Sequence, residues 1–302
     1  MPWRSCYRQY PRIVVLSYTR KVNPDLTTNQ IIIEKANGKH EAFDTEKLRA
    51  SLLRSGAMSE SVEDVISKIL PDLYNGMTTS EIYSHAFSLL HAKEKPVARR
   101  YSLRRAVMDL GPSGFPFEDF VAEILKAKGF ETETRQSVLG GCVPHEVDVV
   151  AWNDKKLIMC EAKFHNQLGT KSDVKVALYV KARFDDLREN IFKYGGKERK
   201  INEGWLITNT KFSSTAIHYG ECKDLVMIGW NYPEDGSLQD MIEEEKLHPI
   251  TCLVSLSTVD KDTLLKEGIV LCTQIKQNPN LLEQALGAKV NIDEIISEIN
   301  EL

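Results

Sequence analysis

Residues 144–165, PHEVDVVAWNDKKLIMCEAKFH, constrain this chain more than any other stretch. Two apolar runs, Val147 to Trp152 and Leu157 to Ala162, flank Asn153-Asp154-Lys155-Lys156, a pattern that predicts a β-hairpin entering a core. Side chains alternate across a strand, so Leu157, Met159, Glu161 and Lys163 share one side and Ile158, Cys160 and Ala162 the other. One face therefore passes from apolar to charged along its length. Folding back over so short a loop sets Asp148 opposite Glu161 or on the neighbouring diagonal, within reach of one ion shared between the carboxylates. Two acids and the Lys163 ammonium then meet at one end of a buried sheet.

Those residue types suit phosphodiester hydrolysis. Magnesium (Mg2+), or manganese (Mn2+) in its place, takes hard oxygen ligands and retains waters, so one Asp and one Glu hold it without a full protein cage. Such an ion polarises a phosphodiester oxygen and lowers the pKa of a bound water, while Lys163 orients that water or steadies developing negative charge. The competing reading is a hairpin with a solvated, charged edge.

Asp148 followed by Glu161-Ala162-Lys163 resembles the PD-(D/E)xK nuclease signature, in the form used by Mrr-like restriction endonucleases and Holliday-junction resolvases. The likeness runs from about Phe115 to Met227, including Phe117-Glu118 at a helix start and Thr208-Asn209-Thr210-Lys211-Phe212-Ser213 after a later strand. Pro144 stands four residues before Asp148, so the literal Pro-Asp spacing is not kept. The resemblance implies an α/β fold, a restriction-endonuclease-like mixed β-sheet flanked by helices, with DNA as partner. It also implies a metal held by Asp148, Glu161 and Glu118, with Lys163 completing the catalytic set. From its position alone, Glu118 reads equally as a helix-start acid stabilising the dipole.

The formal net charge of −4 over 302 residues excludes a generally basic nucleic-acid coat protein, so any DNA contact must come from a local patch. Ser172-Asp173 predicts the cap of a helix running to about Lys193, with Val174, Ala177, Val180, Phe184, Leu187 and Ile191 along one stripe. Lys171, Lys175, Tyr179 and Arg183 recur every four residues along another. Cations with an aromatic beside a metal site would track a phosphate backbone; the alternative is an ordinary wet helix face. His165 reads as a substrate contact or as a satisfied core histidine. Upstream, Phe117 to Lys128 is an amphipathic helix ended by Gly129, followed by a strand from Glu131 to Val138. Downstream, Trp205 to Thr208 and Leu225 to Ile228 are strands around a helix from Ser213 to Glu221, which argues for a right-handed parallel crossover.

Residues 29–111 read as a separate module: a hairpin turning at Asn37-Gly38, then four helices. The first starts at Asp44-Thr45-Glu46-Lys47 and buries Leu48, Leu52 and Leu53. The second runs from about Ser61 to Leu73 on Val62, Val65, Ile66, Ile69 and Leu70, the third begins at Thr79-Ser80-Glu81, and an arginine-rich fourth spans Pro96 to Leu110. Lys35, Gly38, Phe43-Asp44, Glu46-Lys47 and Ala98-Arg99-Arg100-Tyr101 resemble the ATP-cone, the module that places ATP or dATP on allosteric ribonucleotide reductases. Carried across, the resemblance puts Lys35 and Lys47 on phosphates, Glu41 and Asp44 by the base or ribose, and Thr79 with Tyr83 closing the pocket. Ala36 stands where an arginine is usual, and by charge alone the lysines read as a solvated face.

Gly111-Pro112-Ser113-Gly114 predicts a domain boundary, giving a nuclease domain at 115–235 and a helical region at 245–302. In that last region Leu253 to Leu256 and Leu264 to Ile269 loosely resemble a helix-hairpin-helix. Its acidic end, Asp293, Glu294, Glu298 and Glu301, argues against DNA contact there, which leaves docking or a homodimer as an equal alternative. Residues 1–28, with five basic residues before Asp25, read as a disordered leader; a transit peptide or a DNA-tracking arm are the alternatives. Six cysteines without metal spacing predict reduced, mostly buried thiols in a cytoplasmic protein, and no apolar run is long enough for a membrane span. Together these expectations describe an ATP- or dATP-responsive, metal-dependent DNA endonuclease. The alternatives are a nucleotide-controlled DNA-binding regulator with a silent nuclease core, or a ribonucleotide-reductase accessory protein.

Overall fold

In the first module, local signals set the elements. The computed structural model describes residues 31–302 except 36–37, 168 and 288–289, so the leader expected over 1–28 and the Asn37 of the hairpin turn lie outside the described residues. β1 (Ile32–Glu34) and β2 (His40–Ala42) pair antiparallel beside Gly38, whose φ of +74° suits a residue without Cβ. Asp44 caps α1 (Thr45–Arg54), its carboxylate accepting from the N–H groups of Glu46 and Lys47. α2 (Ser59–Ile69) buries Val62, Val65, Ile66 and Ile69, α3 (Thr79–Lys93) opens on a reciprocal Thr78–Glu81 capping box, and α4 (Lys95–Met108) carries proline in its first turn. Leu53 and Leu70, expected in the core, are 45% and 43% exposed. Leu53 sits one position off the Leu48/Leu52 stripe, and at Leu70 the helix tightens into a 3-10 turn that rotates the side chain outward.

α5 (Phe115–Ala127) is followed by the antiparallel strands β3 (Glu131–Leu139), β4 (Pro144–Trp152) and β5 (Leu157–Lys163). Beyond them lie β6 (Lys171–Ser172), α6 (Val174–Arg188), the hairpin β7 (Phe192–Tyr194) and β8 (Lys197–Arg199), then β9 (Glu203–Thr208), β10 (Lys211–Phe212), α7 (Ser214–Cys222) and β11 (Leu225–Ile228). The five-stranded sheet has the order β11-β9-β5-β4-β3, parallel on the β5-β9-β11 side and antiparallel on the other. The alternation predicted for β5 holds: Ile158, Cys160 and Ala162 join the core with α5, and Leu157 and Met159 join the core with α6 and α7. Gly204 on β9 is where the Phe184 ring of α6 lies directly on the strand, leaving no room for a Cβ.

α6 departs from expectation at both ends. It stops at Arg188, not near Lys193, because the chain turns back into β7 and β8; Lys193 therefore pairs with Glu198, and Ile191 is 61% exposed. Lys171 lies in β6, paired with Lys211, and so leaves the helical stripe of Lys175, Tyr179 and Arg183.

α8 (Leu238–Glu244), α9 (Thr258–Lys266), α10 (Cys272–Gln277), α11 (Asn280–Leu286) and α12 (Ile292–Asn300) complete the described chain. Leu253 to Leu256 form no helix, so the first arm of the expected helix-hairpin-helix is missing. The region packs into the body of the fold: Leu264, Ile275, Leu282 and Ile295 share one core with Phe117, Phe120 and Leu125 of α5. The cores also fail to part at the Gly111–Gly114 break. Val97 and Ala98 of α4 belong to the helical module's core, whereas Leu103 and Val107 of the same helix belong to the core beneath the sheet. Residues 31–302 accordingly form one compact unit. Among the described thiols Cys160 and Cys272 are buried and Cys252 half-buried, but Cys142 and Cys222 are exposed, contrary to the expectation of mostly buried cysteines. No helix among the described residues is long and apolar enough to cross a membrane.

A helix shared by two cores couples their unfolding. Leu103→Ala, at a fully buried position, is expected to cost about 2–5 kcal/mol. Far-ultraviolet and tryptophan signals in urea should shift to a lower midpoint together. A variant in which one signal moves and the other stays would show that the cores unfold independently.

Candidate active site

The β4–β5 ladder runs from Trp152↔Leu157 to Val149↔Cys160, and the next register position would pair Asp148 with Glu161. There it stops. Asp148 Oδ2 instead accepts from the Ala162 N–H at 2.7 Å, so a side chain replaces the partner strand. On the other side, β3 pairs Thr134 with Val149 and Gln136 with Val147, passing over Arg135 and Asp148. Arg135 has φ +55°, a left-handed conformation that costs a non-glycine residue roughly 1–2 kcal/mol. Its guanidinium lies 2.9 Å from Asp119 and 3.4 Å from Glu118 on α5. Glu118 is 9% exposed and not the solvated helix-start acid of the alternative reading.

Burial, and next the charge of Asp148, push Glu118 up to about 7. Burial likewise raises Asp148 and Glu161, and Asp148 adds repulsion at Glu161. Lys163, exposed at the end of β5, opposes the rise at both. Glu161 is ion-paired with Arg183, whose guanidinium sits 4.6 Å from the centre of the Tyr179 ring. Three acids whose ionised forms are disfavoured by burial, Glu118 and Glu161 also by the charge of Asp148, have the donor chemistry of a hard divalent-cation site. Arg183 supplies positive charge to two of them, Asp148 and Glu161. Among the described residues, no three His, Cys, Asp or Glu side chains stand in ligand geometry around one point.

The expected DNA-facing residues divide. Lys175 and Tyr179 are exposed on α6 and Lys171 is exposed on β6, while Arg183 is turned inward to Glu161. The His165 ring bonds Ser172 Oγ at 2.8 Å, and burial, then Lys163, lower its pKa. Fully buried Asn209 clasps His165 from both sides, accepting its N–H and donating to its carbonyl, each at 2.9 Å. Asn209 lies inside the Thr208–Ser213 stretch, but sequence reasoning gave it no role. Asp186 was also missed. It accepts from Cys142 N–H at 2.8 Å, from Val143 N–H at 3.3 Å and meets His145 Nε2 at 2.7 Å, pinning the β3–β4 loop to α6.

In the helical module, Lys35, Glu41, Asp44, Lys47, Thr79 and Tyr83 all line one cavity of about 430 Å³. Lys35 and Lys47 both point at Glu41, at 2.6 and 3.4 Å, and Tyr83 stacks on Tyr101 with ring centres 5.0 Å apart. The Asp44 carboxylate is already engaged as the α1 cap.

Residues 112–229 match the family model described as restriction endonuclease, and residues 248–302 match the AF1548-like C-terminal model. An uncharacterized protein of Archaeoglobus fulgidus is 36% identical over 187 residues, which is 60% of this chain and 99% of that protein. The chain belongs to the AF1548-like family. The crystal structure of AF1548, a protein of unknown function, superposes with a TM-score of 0.52 at 33% identity, covering 63% of this chain and 97% of that one. A likeness to the MspJI restriction endonuclease in complex with a 27-mer oligonucleotide has a TM-score of 0.32 at 16% identity, too weak to carry weight. This AF1548-like chain is thus α/β, with a restriction-endonuclease-like core that holds Glu118, Asp148, Glu161 and Lys163, and a helical C-terminal region. The match points to a nuclease; residues 31–108 lie outside both matched ranges.

His145 foremost, then Cys142, holds Asp186 down to about 2. A depressed acid adds stability that is complete above its unfolded value of roughly 3.9 and is lost as pH falls toward its folded value. Asp186→Asn should therefore lower the urea midpoint at pH 7 and lower it less at pH 3. A deficit that is equal at both would show that the Asp186 charge does not contribute.

Proposed function

We propose that this protein is a metal-dependent endonuclease acting on DNA, whose cleavage responds to ATP or dATP. The observation that carries the reading is the end of the β4–β5 ladder, where Asp148 and Glu161 stand one position past the last pair, Val149 and Cys160, and Asp148 bonds the Ala162 N–H between Glu161 and Lys163, within the stretch similar to restriction endonucleases. Asp148 and Glu161 are the residues that would hold Mg2+ or Mn2+, with Glu118, whose carboxyl feels the charge of Asp148, as the third ligand. Such an ion supplies Lewis-acid polarisation of a phosphodiester oxygen and acidifies a coordinated water.

The chain's own groups do the rest. The Ala162 N–H fixes one oxygen of Asp148. Lys163 falls on the same strand face as Glu161 and brings an ammonium to the developing negative charge. Lys175 and Tyr179 offer charge and an aromatic face to a phosphate backbone, a contact without sequence preference that weakens with salt. The lysines and stacked tyrosines of the helical module's cavity suit a ligand with phosphates and a flat ring.

The Glu161–Arg183 ion pair favours a second reading, a nucleotide-controlled DNA-binding protein whose nuclease core does not cut. Cleavage of a mixed panel of duplex, junction, single-stranded and methylated DNA separates the two. With magnesium or manganese the wild type should cut at least one member, and Lys163→Ala should cut about 100-fold more slowly or worse while retaining DNA binding. Binding without cutting by the wild type would favour the silent core. Equal rates without nucleotide and at millimolar ATP or dATP would remove the nucleotide response.

A further inference from the structure

The helical module does not form the cavity beside β1 and β2 by itself. Lys35, Tyr83 and Tyr101 line it from that module, whereas Trp230 and Asn231 line it from the segment joining β11 to α8 and Gln239 from the first turn of α8. The two sides meet through α4. Its Arg104 also lines the cavity and places its guanidinium 5.9 Å from the centre of the Trp230 ring.

Each wall offers different chemistry. The Tyr83–Tyr101 stack is a flat aromatic surface. Lys35 is 41% exposed and its pair with Glu41 is solvent-screened, so an anionic ligand can take over its charge at little cost. Opposite, the Asn231 amide donates to Gln239 Oε1 at 3.4 Å, giving a polar edge with both donors and acceptors. A volume of about 430 Å³ falls within the range of small-molecule sites.

The segment on the nuclease side is tied to the loop that follows β9. Trp230 N–H donates to the Thr210 carbonyl at 2.7 Å, and Leu238 and Gln239 close back on Gly229 and Trp230 at 3.0 and 3.3 Å. Asn209, next to Thr210, is the residue that clasps His165, two positions beyond Lys163. A ligand pressed against Trp230 therefore bears on a segment continuous with the end of the candidate active site.

We infer that this cavity is a composite regulatory site, in which a flat-ringed, phosphate-bearing ligand is clasped between the helical module and the Trp230–Gln239 segment. The inference rests on the nucleotide reading above and adds that the nuclease side contributes to affinity. Ligand binding and ordering of that segment are then linked, and by reciprocity a change on the nuclease side must alter affinity for the ligand.

Hydrogen–deuterium exchange and calorimetry on the full chain, with ATP and dATP as probes, test this. Bound nucleotide should slow exchange at Trp230, Leu238 and Gln239 together with α3 and α4. Trp230→Leu should weaken binding roughly tenfold. The paired change Asn231→Ala with Gln239→Ala should weaken it severalfold, and these exposed and half-buried positions keep the test independent of folding at the buried tryptophan. Wild-type affinity in the Asn231/Gln239 variant, with protection confined to the helical module, would overturn the composite site and leave the nucleotide reading standing. No binding of either nucleotide by the wild type would overturn both.

Discussion

At Asp148 a carboxylate does what a neighbouring strand does elsewhere in the sheet. Its bond to the Ala162 N–H satisfies a backbone donor that would otherwise be left without a partner as β4 separates from β5. A charge-assisted bond of this kind contributes about 1.5–3 kcal/mol. Because it satisfies the backbone, the ladder can stop at Val149 and Cys160, leaving Glu161 and Lys163 at an open strand end. The left-handed turn at Arg135 completes the opening on the β3 side and sends a guanidinium toward Glu118 and Asp119.

The site this creates is poor for stability. Glu118, Asp148 and Glu161 are each raised by burial, and Asp148 repels the other two. Arg183 and Arg135 offset part of that cost. The apolar cores on both faces of the sheet supply the surplus that lets such a cluster persist, since α5 and the C-terminal helices pack on one face and α6 and α7 on the other. Titratable groups shifted by burial and by neighbouring charge, held on a rigid frame, cluster at functional sites.

What could be read from the sequence was local. The hairpin, its two faces, the caps at Asp44 and Asp173 and the helix end at Gly129 each depend on residues a few positions apart. The misses are of another kind. Ile191 continues the α6 stripe by spacing, and only the return of the chain into β7 and β8 takes it out of the core. Leu103 and Val107 have the same spacing as the residues before them in α4, and nothing local says that a helix changes cores midway. Asp186 meets His145 across 41 residues and Arg183 meets Glu161 across 22, partnerships that only the folded sheet and α6 create. Arg135 reads as one more polar residue in an alternating strand, yet its backbone is what opens the sheet.

The proposed function requires Asp148 and Glu161 to share one cation at the point where the two strands separate. Manganese(II) titration followed by electron paramagnetic resonance measures this directly, without requiring turnover or a known DNA substrate. A bound ion in the wild type should be lost in Asp148→Asn and in Glu161→Gln and kept in Lys163→Ala. Equal manganese binding by wild type and Asp148→Asn would contradict it.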